Sequence, residues 1–201
     1  MVDVPAIKQI LRDQFDIFGT VHVDPETGVV DVEGSVGTLR IMHKLPVQFG
    51  HVTARFGCSE SRLETLAGAP HTVGKEFTCS KNKLTSLAGA PRSVGGGFWC
   101  AHNQLTNLVG APDHVGGSLQ CNANPLKSLD GIPKVLKGQI WLDYDVHLPL
   151  LRLLDTTAFV LSYAPDPVKA ILNKYTGQGK PGALKAAAEL VRSGFKANAK
   201  W

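Results

Sequence analysis

The chain lacks the long apolar run that a membrane-spanning helix needs. None of its apolar stretches reaches about 18 residues, the usual minimum for a span. The first residues, Met1–Pro5, also lack the basic and then apolar order of a secretory signal peptide. Charged residues make up 19% of the 201 residues and hydrophobic residues 43%, as in ordinary soluble proteins. We therefore expect a cytoplasmic protein that has no membrane partner.

Motifs of catalysis and of metal or cofactor binding are also missing. The four cysteines form no Cys-x-x-Cys pair, which is the usual spacing of metal ligands. Gly179 and Lys180 resemble part of a phosphate-binding loop, but Pro181 follows where Ser or Thr is required, so a turn is the better interpretation. His102 and His114 have no Cys or carboxylate at metal spacing. We predict no catalytic residues, no metal site and no cofactor, and hence a protein that is not an enzyme.

What the chain does have is an internal repeat. Its cysteines, Cys58, Cys79, Cys100 and Cys121, each stand 21 residues after the previous one. Other positions recur with the same period, as in the copy that carries Phe77, Cys79, Asn82, Leu84, Leu87, Gly89, Pro91, Val94 and Gly95. A fixed period of this length is the signature of a solenoid, in which stacked coils share one core.

Each copy begins with alternating residues, which predicts a short strand with one buried face. Phe77 and Cys79 would point inward, and Thr78 outward. Asn82 would then turn the chain, since asparagine tolerates unusual φ angles. The cysteines are open to three interpretations: a disulfide set, a metal site, or core residues. The period places all four in one inward column, which favours the core, where free cysteine packs as a small apolar residue.

The leucine and asparagine spacing resembles that of the leucine-rich repeat over residues 45–142. The finer pattern, with Gly-Ala-Pro and Val-Gly-Gly on the return leg, is similar to that of short leucine-rich repeat proteins of bacteria, phages and prophages. Two copies depart from it, because Ser61 replaces the asparagine and Ile140, Trp141 and Leu142 form an atypical last strand. The resemblance implies a fold and a mode of binding, and no reaction.

The flanking segments are predicted to cap the coils, whose ends would otherwise expose apolar surface. Residues 3–17 are predicted as a helix ended by Gly19, and residues 20–23 and 29–32 as a hairpin. Near the other end, helices are predicted at 165–175 and after Gly182. The last helix would bury the stripe Leu184, Ala187, Ala188, Val191 and Phe195. The expected architecture is an α/β repeat: an N-terminal helix–hairpin cap over 1–44, a short leucine-rich-repeat solenoid of ~21-residue coils over 45–145, and C-terminal helices over 146–201.

In leucine-rich repeat folds the outward residues of successive strands form a concave sheet that binds partners. Most of these positions here are small or polar, but Trp99 and Trp141 are not. Exposed tryptophan among small residues is typical of an interface hot spot. The alternative is that a loop or the C-terminal helices cover them. The predicted binding residues are Trp99, Trp141, Thr78, Gln120, Asn122, Glu76 and Arg55.

The distribution of charge supports a second hypothesis. Residues 166–201 carry seven basic and two acidic side chains, a net +5, whereas the whole chain has a net charge of +4. These basic helices would either rest on nucleic acid phosphates or form a solvated surface. We predict a non-enzymatic module that binds a protein partner through the concave sheet, a host protein if the phage resemblance holds. The alternatives are a nucleic-acid-associated protein and a structural or assembly component.

Overall fold

The computed structural model describes residues 2–156 and 158–200. The chain forms a parallel β-solenoid of about six turns, with a helix before it and helices after it, which confirms the predicted α/β repeat solenoid. The helices are α1 Val4–Gln14, α2 Asp166–Tyr175 and α3 Gly179–Arg192, with a 3₁₀ helix at Leu151–Asp155. The strands are β1 Phe15–Val23, β2 Val30–Thr38, β3 Phe49–Val52, β4 Phe56–Gly57, β5 Thr72–Val73, β6 Phe77–Thr78, β7 Ser93–Val94, β8 Phe98–Trp99, β9 His114–Val115, β10 Leu119–Gln120, β11 Val135–Leu136, β12 Ile140–Asp143 and β13 Phe159–Ser162.

The coils form two parallel ladders. The first ladder runs β4-β6-β8-β10-β12-β13, and the second runs β3-β5-β7-β9-β11. The long strand β2 joins them, because Val30 pairs with Phe49 of the second ladder and Val36 pairs with Phe56 of the first. The second ladder was not predicted, since the Val-Gly pairs were expected only to shape the return leg of each coil. In the structure Val94 belongs to strand β7 of that ladder, and its side chain is buried in the core.

The interior is built from columns of identical residues, as the period predicts. The rings of Phe56 and Phe77 stack with centroids 5.6 Å apart, and those of Phe77 and Phe98 stack at 5.5 Å. All four cysteines are buried and unpaired, which confirms their interpretation as core residues. Burial raises the pKa of the Cys58 thiol to about 12, so this column stays protonated at neutral pH.

The asparagine of each copy acts differently from the prediction. The positive φ angle belongs to the residue before it, such as His102 at 54°. Asn103 is buried, and its Nδ2 donates to the carbonyls of Cys79 at 3.0 Å and Cys100 at 3.1 Å. Its Oδ1 accepts from the amide of Leu84 at 3.0 Å. The asparagine therefore joins one coil to the next by hydrogen bonds, because carbonyls in the core need a donor.

The N-terminal segment is a shorter helix and a longer hairpin than predicted. Asp3 caps α1 as expected, since its Oδ1 accepts from the amide of Ala6 at 2.9 Å. The helix stops at Gln14, and residues 15–17 belong to β1. Gly19 does not end the helix, because it pairs with Gly34 in the middle of the hairpin. A β-carbon at Gly19 would meet the Glu33 carbonyl, so the close crossing of β1 and β2 requires glycine there.

The C-terminal part contains a strand that was not predicted, and α3 is rotated relative to the expectation. Strand β13 pairs in parallel with β12 and so extends the first ladder. Helix α3 buries Gly182, Ala183, Ala186 and Leu190. Of the stripe predicted to be buried, Leu184 is 75% exposed and Val191 48% exposed. Within the described ranges, no helix combines the length and apolar character needed to cross a membrane.

Candidate binding surface

One row of outward residues crosses the whole first ladder. Its members are paired in register, strand to strand: Gly37, Gly57, Thr78, Trp99, Gln120, Trp141 and Val160. We call this the central row. It brings together four of the seven predicted binding residues, because a period of 21 places equivalent positions side by side.

Both tryptophans of the central row are open to solvent. Trp99 is 38% exposed and Trp141 is 39% exposed, whereas their chain neighbours Phe98 and Leu142 are fully buried. Gln120 lies between the two tryptophans in the register, so the two indoles stand two strand spacings apart, about 10 Å.

The Trp99 indole is positioned by the glycine two residues before it. A β-carbon placed on Gly97 would lie 2.7 Å from Nε1 of Trp99, a distance that real side chains do not show. Gly97 is itself buried, although its position is outward. The indole therefore lies across the sheet over Gly97 and covers it. Glycine at this place is what allows the ring to come so close to the strand backbone.

A hollow of about 300 Å³ opens beside Trp99. The residues that line it are Val36, Arg55, Phe56, Gly57, Glu76, Thr78 and Trp99. Gly57 and its register neighbour Gly37 carry no side chains, which leaves space beside Thr78 and Trp99 in the same row. On the rim, Nε of Arg55 donates to Oε2 of Glu76 at 2.7 Å. We call this space the Trp99 hollow.

The remaining predicted residue, Asn122, lies outside the Trp99 hollow. It follows β10 and stands at the next outward position after Gln120, where its carbonyl accepts from the amide of His102 at 3.1 Å. Sequence reasoning missed Val160, which extends the central row beyond Trp141. The alternation of Phe159, Val160 and Leu161 was the available signal, but the segment follows a break in the repeat.

The basic C-terminal end is a separate surface. Of its cations, only Lys174 forms an ion pair within the described chain, with its Nζ 2.9 Å from Oε2 of Glu189. This contact lowers the pKa of the Glu189 carboxyl. The others are Lys169, Lys180, Lys185, Arg192, Lys196 and Lys200. Over residues 2–156 and 158–200, no three His, Cys, Asp or Glu side chains form a group that could hold a metal ion.

Comparisons with protein-family models, with curated proteins and with solved structures gave no significant match.

Proposed function

We propose that this protein is a non-enzymatic interaction module that binds a protein partner through the central row of the first ladder. The observation that carries the proposal is the pair of open indoles, Trp99 and Trp141, held on a rigid sheet with Gln120 between them. Tryptophan is the residue type most enriched among interface hot spots, because it buries a large area with little loss of side-chain freedom.

The surroundings of the indoles suit a partner surface. The Trp99 hollow, with a volume of about 300 Å³, has room for one side chain of a partner, and such pockets are where binding energy concentrates. On its rim the charges of Arg55 and Glu76 neutralise each other. A largely uncharged strip of this kind predicts affinity that depends little on salt, because salt screens interactions between charges.

We further propose that the solenoid belongs with the short leucine-rich repeat proteins of bacteria and phages, and that the partner is a protein of the host cytoplasm. The leucine spacing supports this assignment, as does the asparagine that joins neighbouring coils in three successive copies. Asn82, Asn103 and Asn124 each donate to carbonyls of two coils.

A capture experiment tests the proposal. The protein is immobilised and incubated with a nuclease-treated bacterial lysate, beside the variants Trp99→Ala and Phe18→Ala. Phe18 is 70% exposed on the hairpin, so its variant removes an exposed aromatic ring from a different surface. We expect a protein that the native chain and Phe18→Ala retain and that folded Trp99→Ala loses. If Trp99→Ala retains the same proteins, the central row is not the binding surface.

A second candidate function is binding to nucleic acid through the C-terminal helices. It is favoured by six cations in residues 166–201 that form no ion pair within the described chain. Such binding would weaken steeply as salt rises, because phosphate contacts release counterions. It would be lost on neutralising Lys185, Arg192 and Lys196 and would be unaffected by Trp99→Ala.

A further inference from the structure

Helix α3 is apolar on two sides, and within residues 2–156 and 158–200 only one of them is buried. The covered side holds Ala183, Ala186 and Leu190, which pack on the rest of the C-terminal segment. The open side holds Leu184, Ala188 and Val191, which fall on one stripe at helical spacing. Leu184 is 75% exposed and Val191 48% exposed. Helices that are apolar on two opposite sides are usually buried on both of them.

A groove runs beside this open stripe. It has a volume of about 480 Å³ and is lined by Leu151, Lys180, Ala183, Leu184, Ala187 and Ala199. Five of the six lining side chains are aliphatic, and alanines make up three of them. Small residues leave room for a partner's backbone to approach closely, and the hollow between them accepts a large apolar side chain.

Cations border the stripe and the groove. Lys180 stands one turn before Leu184, while Lys185 and Arg192 project from α3 beyond the stripe. None of these three forms an ion pair within residues 2–156 and 158–200. An occupant of this surface therefore needs apolar side chains at its centre and carboxylates at its edges.

The same observations disfavour other occupants. A second copy of this chain would bring the same cations against themselves. A nucleic acid strand would leave Leu184 and Val191 against phosphates. An anionic membrane takes up protruding apolar side chains in number, whereas this surface offers two large ones beside a hollow. A helix of opposite charge with one apolar face satisfies both the groove and its rim.

We infer that the open face of α3 is a second docking site, independent of the central row, which binds an acidic amphipathic helix of a protein partner. The partner helix packs its apolar face on Leu184, Ala188 and Val191 and inserts one large side chain into the groove. Its carboxylates pair with Lys180, Lys185 and Arg192.

The test uses the full-length protein and synthetic helical peptides of about 18 residues, a length that sustains a helix. The probe carries leucines on one face and glutamates on the other, with a fluorescent label. One control peptide has lysine in place of every glutamate, and another has serine in place of every leucine. Fluorescence anisotropy reports binding to the native protein, to the double variant Leu184→Ser with Val191→Ser, and to Val109→Ser. Val109 is an exposed apolar residue of the solenoid, so its variant controls for surface polarity.

We expect the glutamate–leucine peptide to bind the native protein and Val109→Ser alike. The double variant should bind it at least about tenfold more weakly, as loss of an apolar anchor does. Both control peptides should bind at least about tenfold more weakly than the probe. The proposal is overturned if the probe does not bind, if either control peptide binds equally well, or if the double variant binds like the native protein. Tighter binding of phosphatidylglycerol vesicles or of an oligonucleotide, lost in the same double variant, would assign the face to that ligand instead. The central row is intact in every variant, so these outcomes leave its function untouched.

Discussion

The Trp99 indole lies over Gly97, whose missing β-carbon would otherwise stand 2.7 Å from Nε1 of the ring. The two residues point to the same side of the first ladder because they are two apart on one strand segment. The partly exposed ring thus fills the place that a side chain at position 97 would take. The position of the ring therefore depends on the glycine beneath it.

Gly97→Ala should displace the indole while leaving the solenoid folded. Besides Trp99, the added methyl group would meet the carbonyl of Ser118 at 3.2 Å, a contact that a small shift relieves. In a background with Trp141 and Trp201 changed to Phe, we expect the fluorescence emission to shift to longer wavelength, because the ring turns into water. Gly37→Ala is the matched control, since its β-carbon would meet only the Asp16 carbonyl, at 3.9 Å. An unchanged emission spectrum for Gly97→Ala would contradict this account of Trp99.

Asn103→Ala should destabilise the solenoid strongly. It removes the acceptor for the amide of Leu84. It also removes one of the two asparagine donors to each of the carbonyls of Cys79 and Cys100, which keep those of Asn82 and Asn124. An unpaired buried amide costs about 1–3 kcal/mol and each lost second hydrogen bond about 0.5 kcal/mol, so we expect the free energy of unfolding to fall by about 2–4 kcal/mol. Urea unfolding followed by circular dichroism measures it.

The control for that substitution is Asn122→Ala. Asn122 is partly exposed, and its side chain makes no hydrogen bond within the described residues. Its loss should change the unfolding free energy by less than about 0.5 kcal/mol. Equal effects of the two substitutions would mean that the asparagine column does not join the coils.

The cysteine column should make stability fall at alkaline pH. Burial raises the pKa of Cys58 and of Cys121 from 9.0 to about 12, and it raises that of Cys79 and Cys100 as well. Above pH 9.0 the thiols of the unfolded chain ionise while those of the folded chain stay protonated. Ionisation therefore stabilises the unfolded state relative to the folded state. The contribution of the buried thiols to folding stability is complete below the pKa of 9.0 that they have in the unfolded chain. It is lost as pH rises towards the folded pKa of about 12.

Urea midpoints measured across this alkaline range check the cysteine prediction. Each thiol contributes a slope of up to about 1.4 kcal/mol per pH unit. The double variant Cys79→Ala with Cys100→Ala is less stable at neutral pH, but its midpoint should fall less steeply than that of the native protein. If the urea midpoints of the two proteins fall equally steeply with pH, the thiols do not cause the loss of stability at alkaline pH.

The repeat is the part of the fold that sequence reasoning could reach. A period of 21 fixes which residues share a column, so the inward Phe77 and Cys79 and the outward Trp99 follow from alternation alone. The hydrogen bonds of Asn103 could not be predicted this way, because they join coils whose distance in space the spacing does not give. The pairing of Val94 and Val115 in the second ladder depends on the same stacking.

The ends of the molecule were harder to predict, since they lie outside the repeat. Helix α3 has two apolar stripes, and the larger residues of one of them, Leu184 and Val191, favoured that side as the buried one. The structure instead buries Gly182, Ala183 and Ala186, whose small size lets the helix pack closely. Hydrophobic periodicity shows that a stripe exists and cannot show which of two stripes has a partner within the chain.

The most direct test of the central row uses the protein captured from lysate as a purified ligand. Its affinity is measured by calorimetry for the native chain, for Trp99→Ala, and for the triple variant Lys185→Ala, Arg192→Ala and Lys196→Ala, each at low and high salt. We predict a loss of at least about tenfold for Trp99→Ala, little change for the triple variant, and little effect of salt. Unchanged affinity for Trp99→Ala, together with a steep fall for the triple variant and at high salt, would contradict the assignment of the central row as the working surface.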